Sequence, residues 1–210
     1  MTDTNPAHFN ELETDAALEI MNISVGRACN SLALMTGSEV YLSIPEIAFN
    51  YFDSDYLGDM DICSAVSQRF RGDMNGVTMI FFPIDMAQKL MVAFIGSHNT
   101  EGIDLEVLER DALLEIGNII LNACIGSMVN LLDCKLNAEL PSYHKGDIQQ
   151  IVRNAGIRGK YTMMLKTHIE ISDLDINGHL TMVLDSDSCE KFQALIAAYL
   201  QVYLKAKNLN

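Results

Sequence analysis

The chain has 210 residues, of which 49% are hydrophobic and only 4 are proline, a composition that supports a packed core and argues against disorder. Its formal charge of −14 excludes the clustered Lys and Arg that phosphate neutralisation needs, so nucleic acid is not an expected partner. Five scattered cysteines, Cys29, Cys63, Cys124, Cys134 and Cys189, lack CxxC or zinc-finger spacing and read as reduced thiols of a cytosolic protein.

The acidic opening "MTDTNPAHFNELETD" lacks an apolar core and does not read as a signal peptide. A helical pattern runs from about 10 to 36 and stops at Gly37, and "EVYLSIP" (39–45) follows as a strand. After the irregular acidic stretch "FNYFDSDYLGDMD", the strands "ICSAVSQRFRG" and "VTMIFFP" flank Asn75-Gly76, a dipeptide that predicts a tight hairpin turn. "IDMAQKLMVAFIG" (84–96) predicts a short helix with Asp85 as its N-cap. The longest apolar run, "VTMIFFPI" (77–84), is too short to span a bilayer, so no membrane insertion is expected.

The same order then recurs. A helix is predicted from about 104 to 132, "CKLNAELP" as a strand, and "SYHKGDIQQIVRNAGIRG" as a polar loop. "YTMMLKTHIEIS" and "HLTMVLD" flank a second Asn-Gly turn at Asn177-Gly178, and a closing helix follows with Ser186 or Asp187 as cap. "DLDING" (173–178) opens like an EF-hand loop, but its twelfth position is Leu184 instead of Glu, and it reads as a hairpin turn. Lys89 and Lys191 hold matching places in the two closing helices. The fold class is therefore α+β, a duplicated pseudo-two-fold arrangement with a largely antiparallel sheet packed by helices. Residues 1–210 are expected to form a single domain of two homologous halves, about 10–97 and 105–205. No Pro, Gly or Ser linker separates them, so they should share one sheet.

The repeat is sharpest at "DAALEIMN" (15–22) and "DALLEIGN" (111–118), which lie 96 positions apart. On a helix, Asp15, Glu19 and Asn22 form one narrow stripe, as do Asp111, Glu115 and Asn118. The opposite face of the first helix carries Ala17, Ile20, Met21, Ala28, Leu32 and Met35. That of the second carries Leu113, Ile116, Ile120, Cys124, Met128 and Leu131. The stripes should face solvent. Each continues to a small residue that lets another molecule approach, Gly26 in one copy and Asn122 in the other. Each asparagine is also followed at the same distance by a proline, Pro45 and Pro141, both read as strand ends. Asn is a mediocre helix former, and nothing local requires it twice. Average residue usage gives Asp-x3-Glu-x2-Asn-x22-Pro in roughly one chain in a thousand by chance. No phosphate loop, GxSxG, HExxH or Cys–His pairing is present, and the five histidines are dispersed. A stripe without a pocket is suited to entering another protein's site.

That doubled pattern, with "EIMNISVGRACNSLALMTG" and "EIGNIILNACIGSMVNLL", resembles the CheC/CheX/FliY family of bacterial response-regulator phosphatases over residues 10 to 204. Two intact copies are more similar to CheC than to one-site CheX, and no counterpart of the further C-terminal domain of FliY members is expected. The resemblance implies a cytoplasmic phosphatase acting on the phosphoaspartate of a CheY-like receiver domain. Asn22 and Asn118 would orient the attacking water, and Glu19 and Glu115 would pair with the receiver's active-site lysine. Asp15 and Asp111 are given helix N-terminal or contact roles, with Gly26 and Asn122 also at the partner surface. The chain is expected to hold no cofactor or metal of its own, and the Mg²⁺ belongs to the partner receiver. The competing expectation is a non-catalytic binding or adaptor module for a phosphorylated receiver or a CheD-like deamidase.

Overall fold

The computed structural model describes residues 9–49, 62–96, 104–156 and 163–207. The acidic stretch 50–61, His8 and His98 lie outside them. Among the described residues the chain forms five α-helices and one eight-stranded, wholly antiparallel sheet. The elements are α1 (Glu11–Thr36), β1 (Tyr41–Leu42), β2 (Glu46–Phe49), β3 (Ile62–Gly72), β4 (Gly76–Pro83) and α2 (Ile84–Ile95). They continue with α3 (Leu105–Leu132), β5 (Leu136–Ala138), β6 (Ser142–Asp147), α4 (Ile148–Asn154), β7 (Met163–Ile171), β8 (Ile176–Leu184) and α5 (Ser186–Lys207).

The order across the sheet reads alike from both edges. The hairpin β3–β4 lies beside the hairpin β7–β8 through the β4–β8 pair, whose register runs from Gly76 opposite Leu184 to Phe81 opposite His179. The early strands β1 and β2 pair with β7, and β5 and β6 pair with β3. Each half therefore lends its edge strands to the hairpin of the other. Strand alternation divides the core accordingly. Val66, Phe70, Ile80, Phe82, Leu165, Ile169, Leu180 and Met182 face a large cluster with α1, α2, α3 and α5. Ala65, Val77, Met79 and Phe81 face the opposite side, where α4 supplies Ile148, Ile151 and Val152.

Several local expectations are corrected by the structure. The segment read as a polar loop contains β6 and α4, because Tyr143, Ile148, Ile151 and Val152 supply contacts that its polar residues obscure. Pro45 and Pro141 do not end their strands. Each interrupts an edge strand that resumes, as β2 and β6, where a missing amide donor is tolerated. Neither Asn-Gly pair forms a two-residue turn. Gly76 starts β4 and lies opposite Phe70, while Asn177 and Gly178 lie within β8, after a 3-10 turn (Ser172–Leu174) and the left-handed Asp175. These two glycines are needed for close approach. A Cβ on Gly76 would stand 2.6 Å from the Val183 carbonyl oxygen, and one on Gly178 would stand 2.8 Å from that of Phe81. Within the "DLDING" turn, Asp175 is held by Lys89 at 2.9 Å.

The helix caps also differ. Pro83 precedes α2, and Asp85 lies in its first turn without capping it. At α5 it is Asp185 that accepts from the Ser188 amide at 2.8 Å, one residue before the expected caps. By composition α3 is long and apolar enough to cross a membrane. Its apolarity has a local cause: it packs against both the sheet and α1, so that Leu113, Ile116, Ile120, Leu121, Cys124, Ile125 and Met128 are all buried.

One buried charge ties α3 to the sheet. Glu109, 2% exposed, accepts hydrogen bonds from Ser64 Oγ (2.7 Å), Tyr143 OH (2.9 Å) and Lys145 Nζ (3.1 Å). Burial pushes its carboxyl pKa up, but those hydrogen bonds and the Lys145 charge outweigh it, and the net shift is downward. The folded protein therefore keeps Glu109 ionised to lower pH than the unfolded chain does. That contribution is complete above the ordinary glutamate range and disappears as pH falls through the lowered value. Glu109→Gln should lower stability at pH 7 by about 1–3 kcal/mol. Its melting temperature should fall less steeply than wild type below about pH 4.5, which thermal melts across pH 3–7 would measure.

Candidate functional site

The doubled stripe lies on α1 and α3, the two long helices that pack against each other over the sheet. Asn10 starts α1 with a capping box, in which its side chain accepts from the Glu13 amide and Glu13 Oε2 accepts from the Asn10 amide. Asp104 caps α3 through the Glu106 amide at 2.9 Å. The helix N-terminal role is thus filled by these residues, and Asp15 and Asp111 stand further along on the exposed face. Asp111 pairs with its neighbour Arg110 at 3.0 Å.

The apolar faces are as the periodicity predicts. Ala17, Ile20, Met21, Ala28 and Leu32 are buried on α1, and Leu113, Ile116, Ile120, Cys124 and Met128 on α3; Met35 and Leu131 are half-buried. Glu19, Asn22 and Glu115 are exposed, while Asn118 and Gly26 are half-buried. The structure thus keeps Asp15, Glu19 and Asn22 on one outward stripe and Asp111, Glu115 and Asn118 on another. An open groove of about 560 Å³ lies elsewhere, between α2 and the β7–β8 turn, lined by Asp85, Lys89, Val92 and Asp173. None of the stripe residues lines it.

The two sites differ in what surrounds the asparagine. The Asn22 side chain makes no hydrogen bond among the described residues, and nothing lies within 4 Å of where a Cβ on Gly26 would stand. In α3, Asn122 occupies the matching place. Its Nδ2 donates to the Asn118 carbonyl at 2.7 Å and to Asn118 Oδ1 at 2.8 Å. Asn122 Oδ1 in turn accepts from Gln68 Nε2 at 3.0 Å. The Asn122 amide, expected at the partner surface, therefore spends its hydrogen bonds within the protein. Gln68 is a residue that pattern reasoning missed. The only signal was an amide on the core-facing phase of β3, between Val66 and Phe70. Glycine has a packing role as well: a Cβ on Gly117 would stand 2.6 Å from Val66 Cγ1, so α3 lies close on β3 just before Asn118.

The loops carrying the two prolines are tied to β7 and β3 through matched contacts. Ser43 donates its amide to the His168 carbonyl at 3.0 Å, and Glu139 donates to that of Arg69 at 2.8 Å. Their own carbonyls accept from Thr167 Oγ1 and Gln68 Nε2, both at 2.9 Å. The next residues, Ile44 and Leu140, are aliphatic yet 84% and 90% exposed, one per half. Sequence reasoning missed them because edge residues beside a proline look like ordinary strand core.

All five cysteines are buried and free. Burial pushes the Cys29, Cys63 and Cys124 thiols up to about 12, which removes them as nucleophiles near neutral pH. Burial likewise lowers His179, to about 4, with the charges of Lys166 and His168 adding to the effect. Among the described residues no group of three or more His, Cys, Asp or Glu could hold a metal ion.

No protein-family model matches the chain. The CheY-P phosphatase CheC of Bacillus subtilis (strain 168) is 23% identical over 204 residues, covering 91% of this chain and 97% of the relative. Among solved structures, Thermotoga maritima FliY matches with a TM-score of 0.72 and 16% identity, over 92% of this chain and 100% of that one. A CheX–CheY–BeF3–Mg²⁺ complex from Borrelia burgdorferi matches with a TM-score of 0.57 and 15% identity, over 80% of this chain and 99% of the other.

The contrast between the glycines gives a direct test of helix seating. Gly117→Ala should force α3 off Val66 and lower stability by about 1–3 kcal/mol. Gly26→Ala meets open space in a helix interior and should raise stability by roughly 0.5–1 kcal/mol. Urea unfolding of the two variants, compared with wild type, reads both signs.

Proposed function

Because the chain is a CheC homologue of the CheC/CheX/FliY family, we propose that it is a cytoplasmic phosphatase acting on the phosphoaspartate of a CheY-like receiver domain. The observation that carries this reading is the outward stripe of carboxylate and carboxamide, present on both α1 and α3 and outside the groove beside α2. Such a stripe acts by entering a site that another protein brings. The phosphoryl group and its Mg²⁺ belong to the receiver. BeF3 in the CheX–CheY complex is a chemical stand-in for that group.

Asn22 or Asn118 then orients a water in line with the bond to be broken. The water oxygen bonds to phosphorus, the bond from phosphorus to the aspartate oxygen breaks, and the aspartate leaves as a carboxylate. The water proton goes to the departing phosphate, since a carboxamide has no basicity to accept it. Placement and electrostatics supply most of the rate in phosphoryl transfer, so a group that only positions water suffices. A carboxamide both donates and accepts hydrogen bonds and does not compete as a nucleophile. Glu19 and Glu115, one helical turn earlier, pair with the receiver's lysine and set the docking register. Asp15 and Asp111 extend the negative edge.

A receiver-binding module that hydrolyses nothing would use the same glutamates and tolerate loss of the asparagines. Phosphate release and receiver binding, measured together, separate the two functions. Asn22→Ala/Asn118→Ala should lower dephosphorylation on the order of 10²-fold while leaving receiver affinity nearly unchanged, since the lost interaction belongs to the transition state. Glu19→Lys/Glu115→Lys should weaken binding itself, by several kcal/mol at a close contact. Hydrolysis at the wild-type rate in the asparagine double variant would remove these asparagines from the mechanism, whereas receiver binding by the wild-type protein without phosphate release would leave the binding module as the function.

A further inference from the structure

Gln68 is 2% exposed and belongs to no apolar cluster, although its strand neighbours on the same face, Val66 and Phe70, are core residues. A buried amide among such neighbours needs partners, because an unmade hydrogen bond there is costly. Gln68 resolves this unevenly. Both hydrogens of Nε2 are used, one on the Glu139 carbonyl (2.9 Å) and one on Asn122 Oδ1 (3.0 Å). Its Oε1 is buried with no partner among the described residues.

The direction of this chain of bonds is fixed from both ends. The Glu139 carbonyl can only accept, so the Gln68 atom facing it is nitrogen. The Asn118 main-chain carbonyl can only accept, so the Asn122 atom facing it is Nδ2. Asn122 Oδ1 then faces Gln68, and the Asn118 side-chain atom 2.8 Å from Asn122 Nδ2 is its oxygen. Asn118 is left with its NH2 group and one oxygen lone pair available outward. In the α1 site the chain of bonds stops early. Thr167 takes the place of Gln68 and reaches Ser43, at its carbonyl (2.9 Å) and its Oγ (3.4 Å), and Gly26 stands where Asn122 would be. Asn22 is therefore free to rotate.

We propose that Gln68 and Asn122 are positioning residues that preset the Asn118 carboxamide, making the α3 site the faster of two unequal phosphatase sites. The inference rests on the function proposed above. A carboxamide held in one orientation reaches the water without first losing rotamer freedom, whereas Asn22 must be ordered on docking, and that difference appears in turnover.

The experiment uses the full chain with an acetyl-phosphate-loaded CheY-like receiver, in an Asn22→Ala background that leaves only the α3 site. Asn122→Ala and Gln68→Met should each lower kcat roughly 5- to 30-fold and change KM less than about two-fold. Asn122 is exposed, so its variant folds even if Gln68→Met does not; thermal melts report which case applies. In the otherwise wild-type protein, Asn22→Ala should retain more turnover than Asn118→Ala. Side-chain amide ¹⁵N relaxation supplies a readout independent of activity: Asn118 should be ordered and Asn22 mobile, with the order at Asn118 lost in Asn122→Ala. Equal mobility of the two amides, or unchanged kcat for Asn122→Ala in the one-site background, would overturn the proposal. Full hydrolysis by Asn22→Ala/Asn118→Ala would instead overturn the water-orienting role of the asparagines on which this proposal rests, while absence of hydrolysis by the wild-type protein would overturn the phosphatase reading and leave the amide asymmetry standing.

Discussion

Everything in this fold depends on the antiparallel pairing of β4 with β8 at the centre of the sheet. That pair joins the two hairpins, and it leaves β7 and β3 with open edges, each filled by strands from the other half. Neither half can complete its share of the sheet alone. With the sheet closed this way, α1 and α3 lie together on one face, and their outward sides carry the two stripes. The close approach that the pairing demands is visible at Gly76 and Gly178, where any side chain would meet a backbone oxygen or an aromatic ring.

The seating of α3 on β3 follows from three successive positions on one strand face. Ser64 meets Glu109, Val66 meets Gly117, and Gln68 meets Asn122, so helix and strand advance in the same order along each other. The two outer contacts are polar and the middle one is apolar and tight. Polar contacts of this kind are directional, so they fix register where a purely apolar face would permit sliding. The consequence reaches the surface, because Asn118 follows Gly117 and is tied to Asn122.

The charge of −14 and the exposed carboxylates at Asp15, Glu19, Asp111 and Glu115 suit a partner that presents a cation within an acidic site. A lysine beside a phosphoryl group and Mg²⁺ has that character. The long-range field of this chain would be unfavourable to the phosphoryl group itself, so contact at the lysine and specific docking must compensate. Under the proposed function, the stripe would combine a charge for docking with a neutral amide for the chemistry, one turn apart.

The sequence by itself determined the order of the long helices and the hairpin strands, the helix faces and the two stripes, since the 3.6-residue period and an eight-residue repeat are local properties of the chain. Asp15, Glu19 and Asn22, and their counterparts at 111, 115 and 118, could be named because a spacing on a helix fixes a direction. Only the tertiary structure decided that the halves exchange edge strands, that Pro45 and Pro141 interrupt strands instead of ending them, and that the Asn-Gly pairs serve close packing. Those outcomes depend on which distant strand lies alongside, and periodicity carries no information about that. The inequality of the two asparagines belongs to the same class. Gln68 lies 50 residues before Asn118 in the chain, and only the folding of β3 beneath α3 brings its amide to Asn122.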